Sequence, residues 1–153
     1  MATFRFKFEN VLEQRRMVED ERQRELARHM RTRMILQSQL EQMQGTIRQS
    51  KHELADALVG RVDLQRVAGF ASYSGQSTER ARQIVQRVAL AERQIHEARS
   101  RLLDASRQRK AMELLRDRHE RAWKQEQRRR EAVMFDEVAT QQYLRTMTIG
   151  GRG

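Results

Sequence analysis

Not one proline interrupts this chain of 153 residues, and apolar side chains recur along it at alternating steps of three and four. Without proline nothing removes a helical hydrogen bond or clashes with the preceding turn, so helices are free to run long. The three-four spacing places the apolar residues on one helix face. In the first half Leu26, Leu40, Ile47 and Leu54 share one heptad position, and Phe8, Leu36, Met43 and Ala57 the complementary one. Arg33 interrupts the first set; Arg15, Arg22, His29 and Ser50 interrupt the second. In the second half Ala81, Val88, Ile95, Leu102 and Trp123 form one set, and Ile84, Ala91, Ala98, Ala105, Met112 and Val133 the other. Seams of this kind supercoil two helices. Their many small or polar members predict a weak seam that frays in places.

Between the seams lies VGRVDLQRVAGFASYSG, residues 59 to 75, with Gly60, Gly69 and Gly75. Glycine accepts the left-handed conformation that ends helices, so a first helix should stop near Val59 or Gly60. Phe70, Ser74 and Ser77 continue the second seam backwards, which puts the turn between Gly60 and Gly69. The predicted fold is all-α: one elongated antiparallel two-helix coiled-coil hairpin, with the second helix overhanging the first. Helix one should cover about 7–59, the turn about 60–69, helix two about 70–146, and a disordered tail 147–153. In an antiparallel pair the numbers of facing residues have a constant total. A total of 131 sets Ile47 against Ile84, Met43 against Val88, Leu36 against Ile95 and Phe8 against Trp123, and is preferred. A total of 124 pairs Leu54 with Phe70 and Leu40 with Ile84 but leaves Trp123 facing the start of the chain. Fifty-odd residues per helix make a rod on the order of 80 Å.

Composition narrows the function classes. The net charge is +10, and only four of the 31 basic residues are lysine (Lys7, Lys51, Lys110, Lys124). Such an excess invites a nucleic-acid or anionic-membrane reading. The arginines are interleaved with Glu, Asp and Gln, however, and only Arg128-Arg129-Arg130 forms a dense run. That pattern favours the solvated face of a coiled coil over a nucleic-acid groove. No cysteine is present, which suits a reducing cytoplasm. No stretch approaches the ~20 apolar residues of a membrane span, and no signal-peptide core opens the chain.

The ends are less uniform. Residues 4–8 alternate as Phe-Arg-Phe-Lys-Phe, a strand-like pattern, before the helical spacing of Phe8, Val11, Leu12 and Arg15 takes over. Three of the five phenylalanines therefore stand at the start, where Phe8 and Phe6 are expected to close the open end on Trp123. Phe8 should turn inward on the seam, leaving Phe4 and Phe6 uncovered outside the helix. Residues 124–145 have no counterpart in helix one yet carry Val133, Met134, Phe135, Val138 and Leu144. An apolar stripe without an intramolecular partner suggests a docking surface, a fraying end or a dimer contact.

Chemistry finds no foothold. His29, His52, His96 and His119 are scattered without metal-ligand spacing. Solvated carboxylates on a rod have no pocket to perturb them. No glycine cluster forms a phosphate loop. The reading is a non-enzyme with no catalytic residue, metal or cofactor.

The stretch Phe4-x-Phe6-x-Phe8-x-x-Val11-Leu12-x-x-Arg15 resembles the N-terminal signature of the flagellar export protein FliJ family, with Phe8 where leucine is usual. LLRDRHERAW (residues 114–123) and EAVMFDEVA (residues 131–139) are similar to that family's later motifs. The resemblance covers nearly the whole chain. It implies a component of the flagellar type III export apparatus. The implied role is a coiled-coil stalk between the hexameric export ATPase and the cytoplasmic domain of the membrane export gate, which also handles export chaperones. It would be cytoplasmic and peripheral at the inner face of the cell membrane, associating with the membrane only through the apparatus, and would bind no nucleic acid.

Site residues follow from the resemblance. Phe4, Phe6, Phe8, Val11 and Leu12, with Phe135, Asp136 and Glu137, fall at the end such proteins present to the ATPase. Phe70 and Tyr73 match an aromatic-bearing stretch near the tip implied in gate binding, with Met43 on the facing helix. Thr46 and Ser50 stand there where relatives can show aromatic residues. A generic coiled-coil scaffold, a virulence-type secretion stalk and a basic nucleic-acid-binding rod are the alternative readings.

Overall fold

A computed structural model describes residues 2–151. Two long helices, α1 (Glu9–Ala57) and α2 (Leu64–Gly150), pack against each other, and no strand occurs among the described residues. The chain divides into two compact units. One joins Met1–Met17 to Arg107–Gly153; the other is Val18–Ser106.

Within Val18–Ser106 the buried positions are Leu36, Ser77, Ala91, Ile95, Ala98 and Ala105. The alanines expected to weaken the seam are thus its best-buried members, because a side chain of one methyl lets two helix backbones approach closely. Leu40, Met43, Ile47, Leu54, Ala81, Ile84 and Val88 are half-buried along the same line. Glu25 pins the pair electrostatically. Its carboxylate takes Arg101 Nη1 of α2 at 2.8 Å and Arg22 Nη1 of its own helix at 3.0 Å. The hydrogen bond from Arg22, then the charges of Arg101, Arg22 and His29, outweigh desolvation and hold that carboxyl below its ordinary range.

The turn is shorter than the glycine spacing suggested. α1 ends at Ala57, and Gly60 adopts φ +94°, the left-handed conformation that glycine accepts without a Cβ clash. α2 then begins at Leu64, not near 70. Asp63 caps it, accepting a 2.9 Å hydrogen bond from the Gln65 amide through Oδ1. Gly69 and Gly75 lie inside α2 with open space where a Cβ would stand. At the other end α2 runs to Gly150, so residues 147–150, expected in a disordered tail, are helical. Residues 152 and 153 of that predicted tail lie outside the described residues.

The short turn sets the register. Glu25 faces Arg101, numbers that total 126, and Leu54 and Phe70 line one groove, totalling 124. The preferred total of 131 is therefore wrong, and the alternative near 124 holds in Val18–Ser106. A seam rich in alanine discriminates poorly between neighbouring registers, whereas a six-residue connection permits little slack.

Within the other unit, residues 2–6 form neither helix nor strand, and α1 starts only at Glu9, not near 7. Leu12 is fully buried and Phe6 is 8% exposed, whereas Phe8 is 38% exposed. The inward assignment of Phe8 is thus corrected. Phe4 and Phe6 both reach α2, while Arg5 and Lys7 between and after them stay exposed. Phe4 meets Trp123, ring centroids 6.0 Å apart, and Phe6 meets His119 edge-on at 5.6 Å. Phe8 stacks edge-on against Phe6 at 5.8 Å instead of reaching Trp123.

Candidate docking surfaces

In the unit of Met1–Met17 and Arg107–Gly153, the N-terminal segment is clamped to α2 by polar pairs around the buried Leu12. Arg15 Nη1 donates to Gln108 Oε1 at 2.7 Å, Arg16 Nη2 reaches Glu113 at 3.5 Å, and Arg116 Nε approaches Glu9 at 3.7 Å. Lys124 donates to Glu120 at 2.9 Å, and this bond holds the Glu120 carboxyl below its usual range. The clamp ends at Trp123. Gln127 is the last half-buried residue of α2, and every described residue from Arg128 to Gly151 is exposed. Val133, Met134, Phe135, Val138, Tyr143, Leu144, Met147 and Ile149 all stand in that free helix.

Of the residues assigned to an ATPase-facing end, the structure brings Phe4, Phe6, Phe8, Val11 and Leu12 into one cluster against α2. Leu12 and Phe6 form its interior, Phe4 and Val11 are half-buried, and Phe8 lies at its rim. Phe135, Asp136 and Glu137 are on the free helix, fully outside that cluster. Phe135 is 73% exposed, and Asp136 and Glu137 line a shallow surface depression with Val133, Thr140 and Gln141.

In Val18–Ser106 an open groove of about 690 Å³ lies near the turn. Leu54 and Ala57 of α1 form one wall and Phe70 and Tyr73 of α2 the other, with Glu53, Asp56 and Arg66 at the edges. Tyr73 is 39% exposed and Phe70 half-buried. Tyr73 also borders a second depression of about 370 Å³ with Met43, Thr46, Ser77 and Ile84. The three assigned residues Met43, Phe70 and Tyr73 thus lie on adjoining depressions. Sequence reasoning missed Leu54, Glu53, Asp56 and Arg66. The smaller register total, which already paired Leu54 with Phe70, was the signal for them.

Among the described residues no group of three or more His, Asp or Glu side chains converges to hold a metal ion, and no helix is long and apolar enough to cross a membrane. No buried side-chain nitrogen or oxygen among them lacks a hydrogen-bond partner.

No curated protein and no solved structure matches this chain. The family model described as flagellar FliJ protein matches residues 4–148. A helical hairpin whose family match spans nearly its full length leaves one assignment: the chain belongs to the flagellar FliJ family and is a component of flagellar protein export.

Proposed function

We propose that this protein is the stalk that couples the hexameric export ATPase to the cytoplasmic domain of the membrane export gate, and that it assists the handling of export chaperones. It works at the inner face of the cell membrane, held there through the apparatus. The free end of α2 carries this reading. Val133, Leu144 and Met147 continue the seam, Met134 and Val138 lie on one flank, Tyr143 on the other, and Phe135 and Ile149 on the outer side. Apolar side chains thus stand on several sides of this helix, between charged residues such as Arg130, Glu137 and Arg145, and they gain from cover on more than one side. The central opening of an ATPase ring provides such cover; a flat surface does not. The groove of Leu54, Phe70 and Tyr73 supports the gate as second partner, because aromatic anchors beside a cleft are typical binding determinants.

Binding of the full chain to ATPase hexamer and to gate domain tests both contacts. A chain ending at Gln127 should lose the ATPase and keep the gate. Phe70→Ala with Tyr73→Ala should do the reverse. Retention of ATPase binding by the shortened chain would overturn the stalk reading.

A further inference from the structure

The solvent face of α2 opposite its seam carries an ordered charge pattern that begins before the free helix and runs into its first residues, Arg128 to Ala132. Positions 107, 111, 114, 118, 121, 125, 128 and 132 follow steps of four and three, so they form one line along the helix. They read Arg-Ala-Leu-Arg-Arg-Gln-Arg-Ala, all exposed, with Lys110 and Arg129 beside them. No carboxylate falls on the line; Asp117 only flanks it. The stripe of six cations extends about 33 Å at helical rise.

Several arginines of α2 are paired, although among the described residues Arg66, Arg80, Arg87, Arg93, Arg99 and Arg145 are not. Arg101 holds Glu25, Arg109 holds Glu113, Arg116 approaches Glu9 and Arg130 holds Glu126. Along the stripe, among the described residues, Lys110, Arg118, Arg121, Arg128 and Arg129 make no ion pair. Five neighbouring cations without an ion pair repel one another and offer a face to an anionic partner.

Three classes of polyanion could meet it, and the pattern separates them. Single-stranded nucleic acid is held by several aromatics interleaved with basic residues, whereas this line meets an aromatic only at Phe135, past its last cation. Duplex phosphates impose no heptad spacing, and a lipid surface takes up a broad apolar face, which one leucine among alanines does not supply. Here Ala111, Leu114 and Ala132 share the line with the cations, and Leu114 is 57% exposed. Small and apolar residues interleaved at heptad steps are what a second helix needs to approach closely. Arginine, five of the six cations, suits carboxylates through paired N–H donors. We propose that this stripe docks an acidic helix of a partner protein, whose carboxylates repeat at the same three-four steps and whose apolar residues meet Leu114. This goes beyond the stalk reading and does not depend on it.

The probe is a synthetic helical peptide about four heptads long, with glutamates on alternating steps of three and four and one leucine at the centre. A peptide of identical composition with its glutamates scattered around the helix is the control. Affinity is measured on the full chain, beside duplex DNA and vesicles of phosphatidylglycerol with phosphatidylcholine. The patterned peptide should bind at least about tenfold more tightly than the scattered one. Arg118→Glu, Arg121→Glu, Arg128→Glu and Arg129→Glu together should abolish binding with an unchanged melting curve, since these exposed residues hold nothing in the fold. A lysine version of the patterned peptide should then bind the variant and not the parent. Equal binding of patterned and scattered peptides, or preference for DNA or vesicles over the patterned peptide, would overturn the proposal. So would unchanged affinity in the folded variant.

Discussion

Phe4 leans on Trp123 with ring centroids 6.0 Å apart and planes inclined at 51°, so a residue outside any helix covers the last half-buried aromatic of α2. Next to it Phe6 is buried and Phe8 is not. Phe6→Ala should therefore destabilise by about 3 kcal/mol, at the cost of a buried phenylalanine. Phe8→Ala should cost under about 1 kcal/mol, because much of its ring is already wet. Chemical denaturation of the two single variants checks the order. A larger loss for Phe8 would restore the inward seam position that its heptad spacing suggests.

Cysteine pairs test the register within Val18–Ser106. Leu40→Cys with Ile84→Cys should crosslink within one chain under mild oxidation. Ile47→Cys with Ile84→Cys, offset by about two turns, should not, because a disulfide tolerates Cα separations only up to about 7 Å. Crosslinking yields on a denaturing gel decide between them.

The cap of α2 is a single side chain. Asp63→Ala should cost about 1 kcal/mol through loss of the bond to the Gln65 amide. Gly60→Ala should cost about 1 kcal/mol for a different reason, since alanine at φ +94° is strained even with open space around it. Both follow from melting curves. A neutral Asp63→Ala would mean that solvent caps the amide equally well.

Acid should weaken the Glu25 link. Its carboxyl is held below the ordinary range, so the stabilisation is fully present above the unfolded value, near 4.3, and disappears as pH falls through the lower folded value. Glu25→Gln should therefore melt below the parent at pH 7 and draw level with it near pH 2. A difference independent of pH would assign the effect to packing instead.

Removal of residues 128–153 should leave stability within about 0.5 kcal/mol, because no described residue there is buried against α1. Denaturation of the chain ending at Gln127 measures this. A marked loss would mean that the free helix supports the fold, which would favour contacts between copies of the chain.

The heptad spacing by itself determined that two helices form, which residues face the seam, and that α2 outruns α1. Leu36, Ala91, Ile95, Ala98 and Ala105, all on the predicted seam, are buried. Periodicity is a local property and survives any choice of partner. Register is not local. Sliding one helix by a turn preserves an apolar seam, and small residues such as Ala91 and Ala98 penalise the slip little. The six-residue connection decided it, through Gly60 and the Asp63 cap. Heptad spacing also turned the wrong phenylalanine inward, since it pointed to Phe8 and left Phe4 and Phe6 uncovered. Only packing against His119 and Trp123 separated Phe4 and Phe6 from Phe8, because the helix that the spacing assumed begins after Phe8, at Glu9. The groove of Leu54, Phe70 and Tyr73 exists for the same reason: its walls come from two helices, and no spacing within either one records which residues the turn brings together.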